Sequence, residues 1–151
     1  MATKKVAVEN AEKKRNVIDL LLGADTGKIK LPEKLFEVKR LSDILGEPFI
    51  VTLRAVSADK WEEIQDMALD ISTNDIDVDT GALQTFTVME CVYDDEGNQL
   101  AKNKELMAKF GVRTPKDLVK ALFLSGEITH IYSEVATLSG FSDDSIAEVK
   151  N

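Results

Sequence analysis

Apolar positions keep a helical period over most of the chain and alternate over one short stretch. The clearest pattern runs from Thr114 to Phe141. Thr114, Pro115 and Asp117 combine a hydroxyl cap, a proline at the first helical position and an acid in the first turn, which starts a helix. Leu118, Val119, Leu122 and Phe123 then share one stripe. Ser125-Gly126 breaks the helix, and Ser125 is placed to cap the next one, with Glu127 near its positive end. Ile128, Ile131, Tyr132, Val135 and Leu138 make a second stripe. Gly140 is placed for a left-handed stop, with Phe141 folding back onto the last turn. The stretch reads as a helical hairpin whose stripes face a core, with some stripe residues free to face a partner.

Upstream, Glu9 to Leu22 has helix-forming composition without Gly or Pro, after a frayed Met1–Val8. Leu35 to Arg40 predicts a short strand, Leu41 to Leu45 one helical turn, and Gly46-Glu47-Pro48 a turn. Phe49 to Val56 is the best strand, with Phe49, Val51 and Leu53 on one face and Ile50, Thr52 and Arg54 on the other. Ser57 caps a helix whose Trp61, Ile64, Ala68 and Ile71 form a stripe ending near Ser72. Trp61 suits a core position or an interface anchor. Asp79 or Thr80 caps a helix to about Val92 with a broad apolar surface, although Thr85, Thr87 and Val88 also suit a strand. Asp94 to Asn98 is a turn. Leu100 to Phe110 is a short helix with Leu106, Met107 and Phe110 inward, ended by Gly111. The fold class is therefore α+β, mainly α-helical, with five to six helices and a small antiparallel β-hairpin in the N-terminal third. Residues 1–8 are a flexible start, 9–141 a single domain, and 142–151 a flexible tail.

Composition adds limits. At 151 residues, with 44% hydrophobic and 30% charged side chains, the chain can bury one real core. Its single cysteine, Cys91, cannot form an internal disulfide, which points to a reducing compartment. No apolar run would span a bilayer, and the start lacks the apolar segment of a signal peptide, so a cytoplasmic location is expected. The net charge of −8 is unevenly placed. Residues 1–60 carry 12 basic and 9 acidic side chains, and residues 61–151 carry 7 and 18. No Lys or Arg falls between Lys60 and Lys102. Such a middle repels phosphates, arguing against nucleic acid, and suits either a solvated face or steering toward a basic partner.

Motifs for chemistry fail on inspection. Gly23 to Lys28 has three residues between its glycines where a phosphate-binding loop needs four, and Ile29 stands where Ser or Thr would hold magnesium. Asp75, Asp77 and Asp79 imitate the start of a calcium loop, but Thr80 replaces its glycine and Phe86 its glutamate. His130 is the only histidine and has no triad or metal partners in sequence. The expectation is a binding protein, with no catalytic residue, no cofactor and no metal.

Four stretches resemble the XkdN-like tail assembly chaperones of phages and prophages. They are Lys109 to Leu118 (KFGVRTPKDL), Leu138 to Phe141 (LSGF), Val17 to Leu22 (VIDLLL) and Phe49 to Arg54. The resemblance implies a non-enzymatic protein of the bacterial host cytoplasm that coats the tape-measure protein, helps recruit tail-tube subunits and is absent from the finished virion. It implies no nucleic-acid and no membrane partner, and leaves self-association open. The contact surface is expected around Phe110, Leu118, Leu122 and Phe123. The alternative is an acidic adaptor or inhibitor that binds a host protein.

Overall fold

The computed structural model describes residues 16–70 and 77–150, with Asp70 and Asp77 described by backbone alone. The chain divides into two units after Lys30, each described by itself. In the first, Asn16 caps helix α1, Val17–Leu22, by accepting the Asp19 N–H at 2.9 Å. Val17, Ile18, Leu20, Leu21 and Leu22 are all exposed. A 3-10 turn, Thr26–Lys28, follows, capped by Asp25. The expected start of this helix, the basic cluster Lys13-Lys14-Arg15 and the segment 1–8 lie outside the described residues.

The second unit is α+β and mainly helical. Strand β1, Glu33–Glu37, leads into helix α2, Lys39–Leu45, and strand β2, Ile50–Arg54. The single turn expected at Leu41 is thus a two-turn helix, which brings the helices among the described residues to seven. It ends at Gly46, whose φ of 76° suits the one residue without a Cβ. Helix α3, Ala58–Met67, is capped by Ser57. A two-residue ladder follows, β3, Leu69–Asp70, against β4, Asp77–Val78. Ile71 and Asp75 lie outside the described residues. Helix α4, Thr80–Cys91, runs into β5, Val92–Tyr93. After a 3-10 turn, Leu100–Lys102, come α5, Lys104–Lys109, α6, Pro115–Leu122, and α7, Ser125–Ala136.

The hairpin gains a third strand, giving the antiparallel order β1-β2-β5. Val51 and Leu53 turn inward, while Ile50 faces out, as the alternation predicts. Val92 pairs with Leu53 and extends the buried face. The ambiguity between helix and strand around residue 88 has a physical resolution. Thr85 and Thr87 satisfy their hydroxyls on the carbonyls of Gly81 and Leu83, so α4 persists, and extended backbone begins only at Val92. On β1, Val38 N–H donates to Phe49 O at 3.0 Å and Ala55 N–H to Pro32 O at 2.8 Å. Those bonds set the phase: Lys34 and Phe36 bond to β2, while the backbones of Glu33, Leu35 and Glu37 face the outer edge.

Helix α4 is the centre. Six of its twelve residues are buried, and α3, α6 and α7 all pack against it. The core joins Val88, Met89 and Cys91 of α4 to Val51 and Leu53 of the sheet, Val119 of α6, and Ile128, Ile131 and Val135 of α7.

Candidate functional site

The α6–α7 hairpin is assembled largely as its caps dictate. Thr114 Oγ1 accepts the Asp117 N–H at 3.1 Å, and Pro115 opens α6. Ser125, however, is the first residue of α7 and not its cap. Glu127 reaches back to accept the Leu124 N–H at 2.8 Å, so Leu124 is the boundary. Glu127 has a second task. Arg40 grips it with two hydrogen bonds, Nε to Oε2 at 3.0 Å and a terminal nitrogen to Oε1 at 2.9 Å. The same terminal nitrogen donates to Leu122 O at 2.8 Å, satisfying an otherwise open carbonyl at the end of α6. The Arg40 hydrogen bonds hold the Glu127 carboxyl below its ordinary range, against the opposing effect of burial. Arg40 thus pins the hairpin joint to α2, a contact no local pattern announces.

The four residues expected to meet a partner are separated by burial. Leu118 is 1% and Phe123 5% exposed, both in the core, and Leu122 packs partly buried against that core. The three help line a small apolar gap of about 10 Å³. Phe110 is different: it is 42% exposed. Asn103 caps α5 and splits the helix expected from Leu100 onward, and Phe110, the C-cap of α5, is exposed and not inward as expected.

Two surface grooves flank the hairpin. One, of about 330 Å³, lies between the strands and α7, with Phe36, Val38, Val51, Leu53 and Ile131 as its apolar lining. Glu37, Lys39, Arg40, Glu127, His130 and Glu134 line it as well. His130 is exposed and lies 3.6 Å from Glu134, one helical turn on. The other, of about 480 Å³, lies between the starts of α4 and α7 and the side of α6, with Phe123 and Ile128 at its floor. No group of three or more metal-type ligands gathers among the described residues.

The most strongly built polar feature is Glu90. Its side chain is 4% exposed, with Lys60 Nζ at 3.2 Å from one oxygen and Lys102 Nζ at 2.6 Å from the other. Burial pushes its carboxyl up, but the hydrogen bonds from Lys102 and Lys60 outweigh burial and hold it below the usual carboxylate range. The two lysines that bound the base-free stretch therefore close on one acid inside it. Next to it, burial pushes the Cys91 thiol up to about 12, so the buried cysteine stays a neutral thiol.

A family model described as phage XkdN-like tail assembly chaperone protein matches residues 18–151. The chain belongs to this family. It is also similar to a crystal structure of the protein YqbN, at 19% identity and a TM-score of 0.53, over 75% of this chain and 90% of that one. At that identity the likeness shows a shared fold. No curated protein matches. Family membership points to tail proteins as partners and to a non-enzymatic role. Among the described residues no helix is long and apolar enough to cross a membrane.

For this tail assembly chaperone the LSGF stretch acquires a physical account. Leu138 packs on the core. Ser139 Oγ accepts the Val56 N–H at 2.9 Å and donates to Val135 O at 2.7 Å. Gly140, at φ 89°, turns the chain. Phe141 lies 5.5 Å from Trp61 of α3, ring to ring, and Tyr132 of α7 lies 6.4 Å from it. Trp61, half-buried, is thus the hub on which the C-terminal turn closes over α3.

Proposed function

We propose that this chain binds the tape-measure protein of its phage while the tail is built, and helps recruit tail-tube subunits before leaving the assembly. The observation that carries the reading is the apolar groove between the strands and α7. Its apolar lining, Phe36, Val38, Val51, Leu53 and Ile131, suits the apolar side chains of an amphipathic helix, and its charged lining suits the polar ones. Phe110 adds a separate exposed apolar contact, and Leu118, Leu122 and Phe123 form the rigid bed that holds its neighbourhood in place. Surfaces this small bind weakly one at a time. Repeated along an extended target they would hold by avidity and still release.

The test is co-expression with the tape-measure and tail-tube proteins encoded by the same phage, followed by capture on the tagged chain. The tape-measure protein should be retained. Val38→Asp in the groove and Phe110→Ala should each reduce retention while circular dichroism shows the fold intact. Capture of basic DNA-binding proteins with no tail component would refute the reading and favour an acidic adaptor.

A further inference from the structure

The buried face of the three-stranded sheet is not fully covered. Helix α7 packs on β2, and its Ile131 joins Val51 and Leu53 in the core. Phe36 is the register partner of Val51 and so shares that face, yet Phe36 and Val38 stay only half-buried. The groove of about 330 Å³ opens between these two residues and α7. Layered folds close such a gap with a second helix beside the first. A whole helix is about 10 Å across, so the groove takes its apolar side chains while its body lies over β1.

The charges of this groove are sorted by end. On α7, Glu127, His130, Ile131 and Glu134 recur at i, i+3, i+4 and i+7, so they form one wall. Arg40 is bound to Glu127 and Lys39 precedes it, which puts both cations at the Glu127 end. Glu134 lies two turns further along α7, about 10 Å, at the other end. Glu37 is paired in register with the outward Ile50 and belongs to the opposite face of the sheet. Arg40 and Glu127 offset each other at 2.9 Å. Lys39 is exposed and forms no ion pair with a described residue. Glu134 faces His130 at 3.6 Å, too far for a hydrogen bond, so its carboxylate is open to a partner.

Aligned peptide dipoles leave a helix positive at its N-terminus and negative at its C-terminus. A helical occupant is therefore favoured with its N-terminal end at Glu134 and its C-terminal end at Lys39. We propose that the segment of the tape-measure protein held here is an amphipathic helix running antiparallel to α7, with apolar anchors at i, i+3 or i+4, and i+7 against Phe36, Val38 and Ile131. This inference rests on the function proposed above and adds the direction and pattern of the bound segment. Antiparallel neighbours also set the dipole of the occupant against that of α7. The groove thus reads an end-to-end order of charge as well as an apolar spacing.

The test is capture of the phage's tape-measure protein on the tagged full chain, with a photoreactive benzophenone amino acid in place of Lys39, of Glu134, or of both. In a segment linked from both positions, the residue reached from position 134 should precede the one reached from position 39 by about seven residues, the rise of two helical turns. Glu134→Gln and Lys39→Gln should each weaken binding about two- to fivefold, the scale of one charge at a helix end. That loss should shrink in about 1 M salt, where screening reaches about 3 Å. The opposite order along the tape-measure protein overturns the inference, as does binding that neither substitution weakens. Tape-measure protein captured without linkage from either position lies outside the groove, which overturns the inference and leaves the binding function standing. No capture by the unmodified chain refutes that function, and this inference with it.

Discussion

Replacing both lysines around Glu90 should cost far more than the two single replacements together. Glu90 is 4% exposed, so it depends on its two cations, whereas each lysine side chain is 40% exposed and well solvated without it. Lys60→Met alone leaves Lys102 at 2.6 Å, and Lys102→Met alone leaves Lys60 at 3.2 Å. Each single change should therefore cost about 1 kcal/mol or less, the scale of a solvated ion pair. The double change strands a buried carboxylate, for which about 3–5 kcal/mol is the usual cost. The coupling, about 1–3 kcal/mol, is measured by urea unfolding of the four proteins at pH 7. The sign with pH follows from the lowered carboxyl of Glu90. Its contribution is complete above the unfolded-state value and is lost as pH falls through the folded one. Glu90→Gln should flatten that acid limb. Additive single and double costs, or a pH profile unchanged by Glu90→Gln, would refute the idea that Glu90 needs a cation beside it.

The remaining expectations concern the helical hairpin, its closing turn and the buried thiol. Phe110→Ala should leave urea stability within about 0.5 kcal/mol yet weaken tape-measure capture, whereas Leu118→Ala should cost about 2–5 kcal/mol and affect capture only through lost fold. Ser139→Ala, which orphans the Val56 N–H, should cost about 1–3 kcal/mol, and Gly140→Val, at φ 89°, about 1–2 kcal/mol. Thermal unfolding reads both. Cys91 should react with a thiol reagent at neutral pH only at the rate at which the protein opens, because the buried thiol is pushed up to about 12; rapid labelling of native protein would contradict that burial.

Most of what the chain announces locally, it builds, although Ser125 does not cap α7 and the helix read from Leu100 is split at Asn103. Thr114, Ser57 and Asp79 cap their helices, Gly140 takes its left-handed turn, and β2 alternates as read. Those features depend on neighbours within a few residues. The features that depend on distant partners were invisible. Arg40 lies 87 residues from Glu127, and neither shows any periodic signal. Glu90 looks like one acid among many until Lys60 and Lys102 arrive from both ends of the stretch. Val92 reads as the last turn of a helix because its strand partner, Leu53, is remote. The partner surface was legible only in part. A stripe of apolar residues cannot by itself distinguish the side that meets its own core, where Leu118 and Phe123 lie, from the side that meets solvent.

The outer edge of β1 limits how this protein can meet anything else. Its backbone amide and carbonyl groups without a strand partner among the described residues belong to Glu33, Leu35 and Glu37, and four of the strand's five residues are exposed. An incoming extended chain could zip onto that edge, as happens when sheets recruit stray polypeptide. Two glutamates and a lysine in a five-residue strand discourage such pairing, because each would need a matched counter-charge across the ladder. The charges of β1 thereby disfavour β-aggregation through this edge.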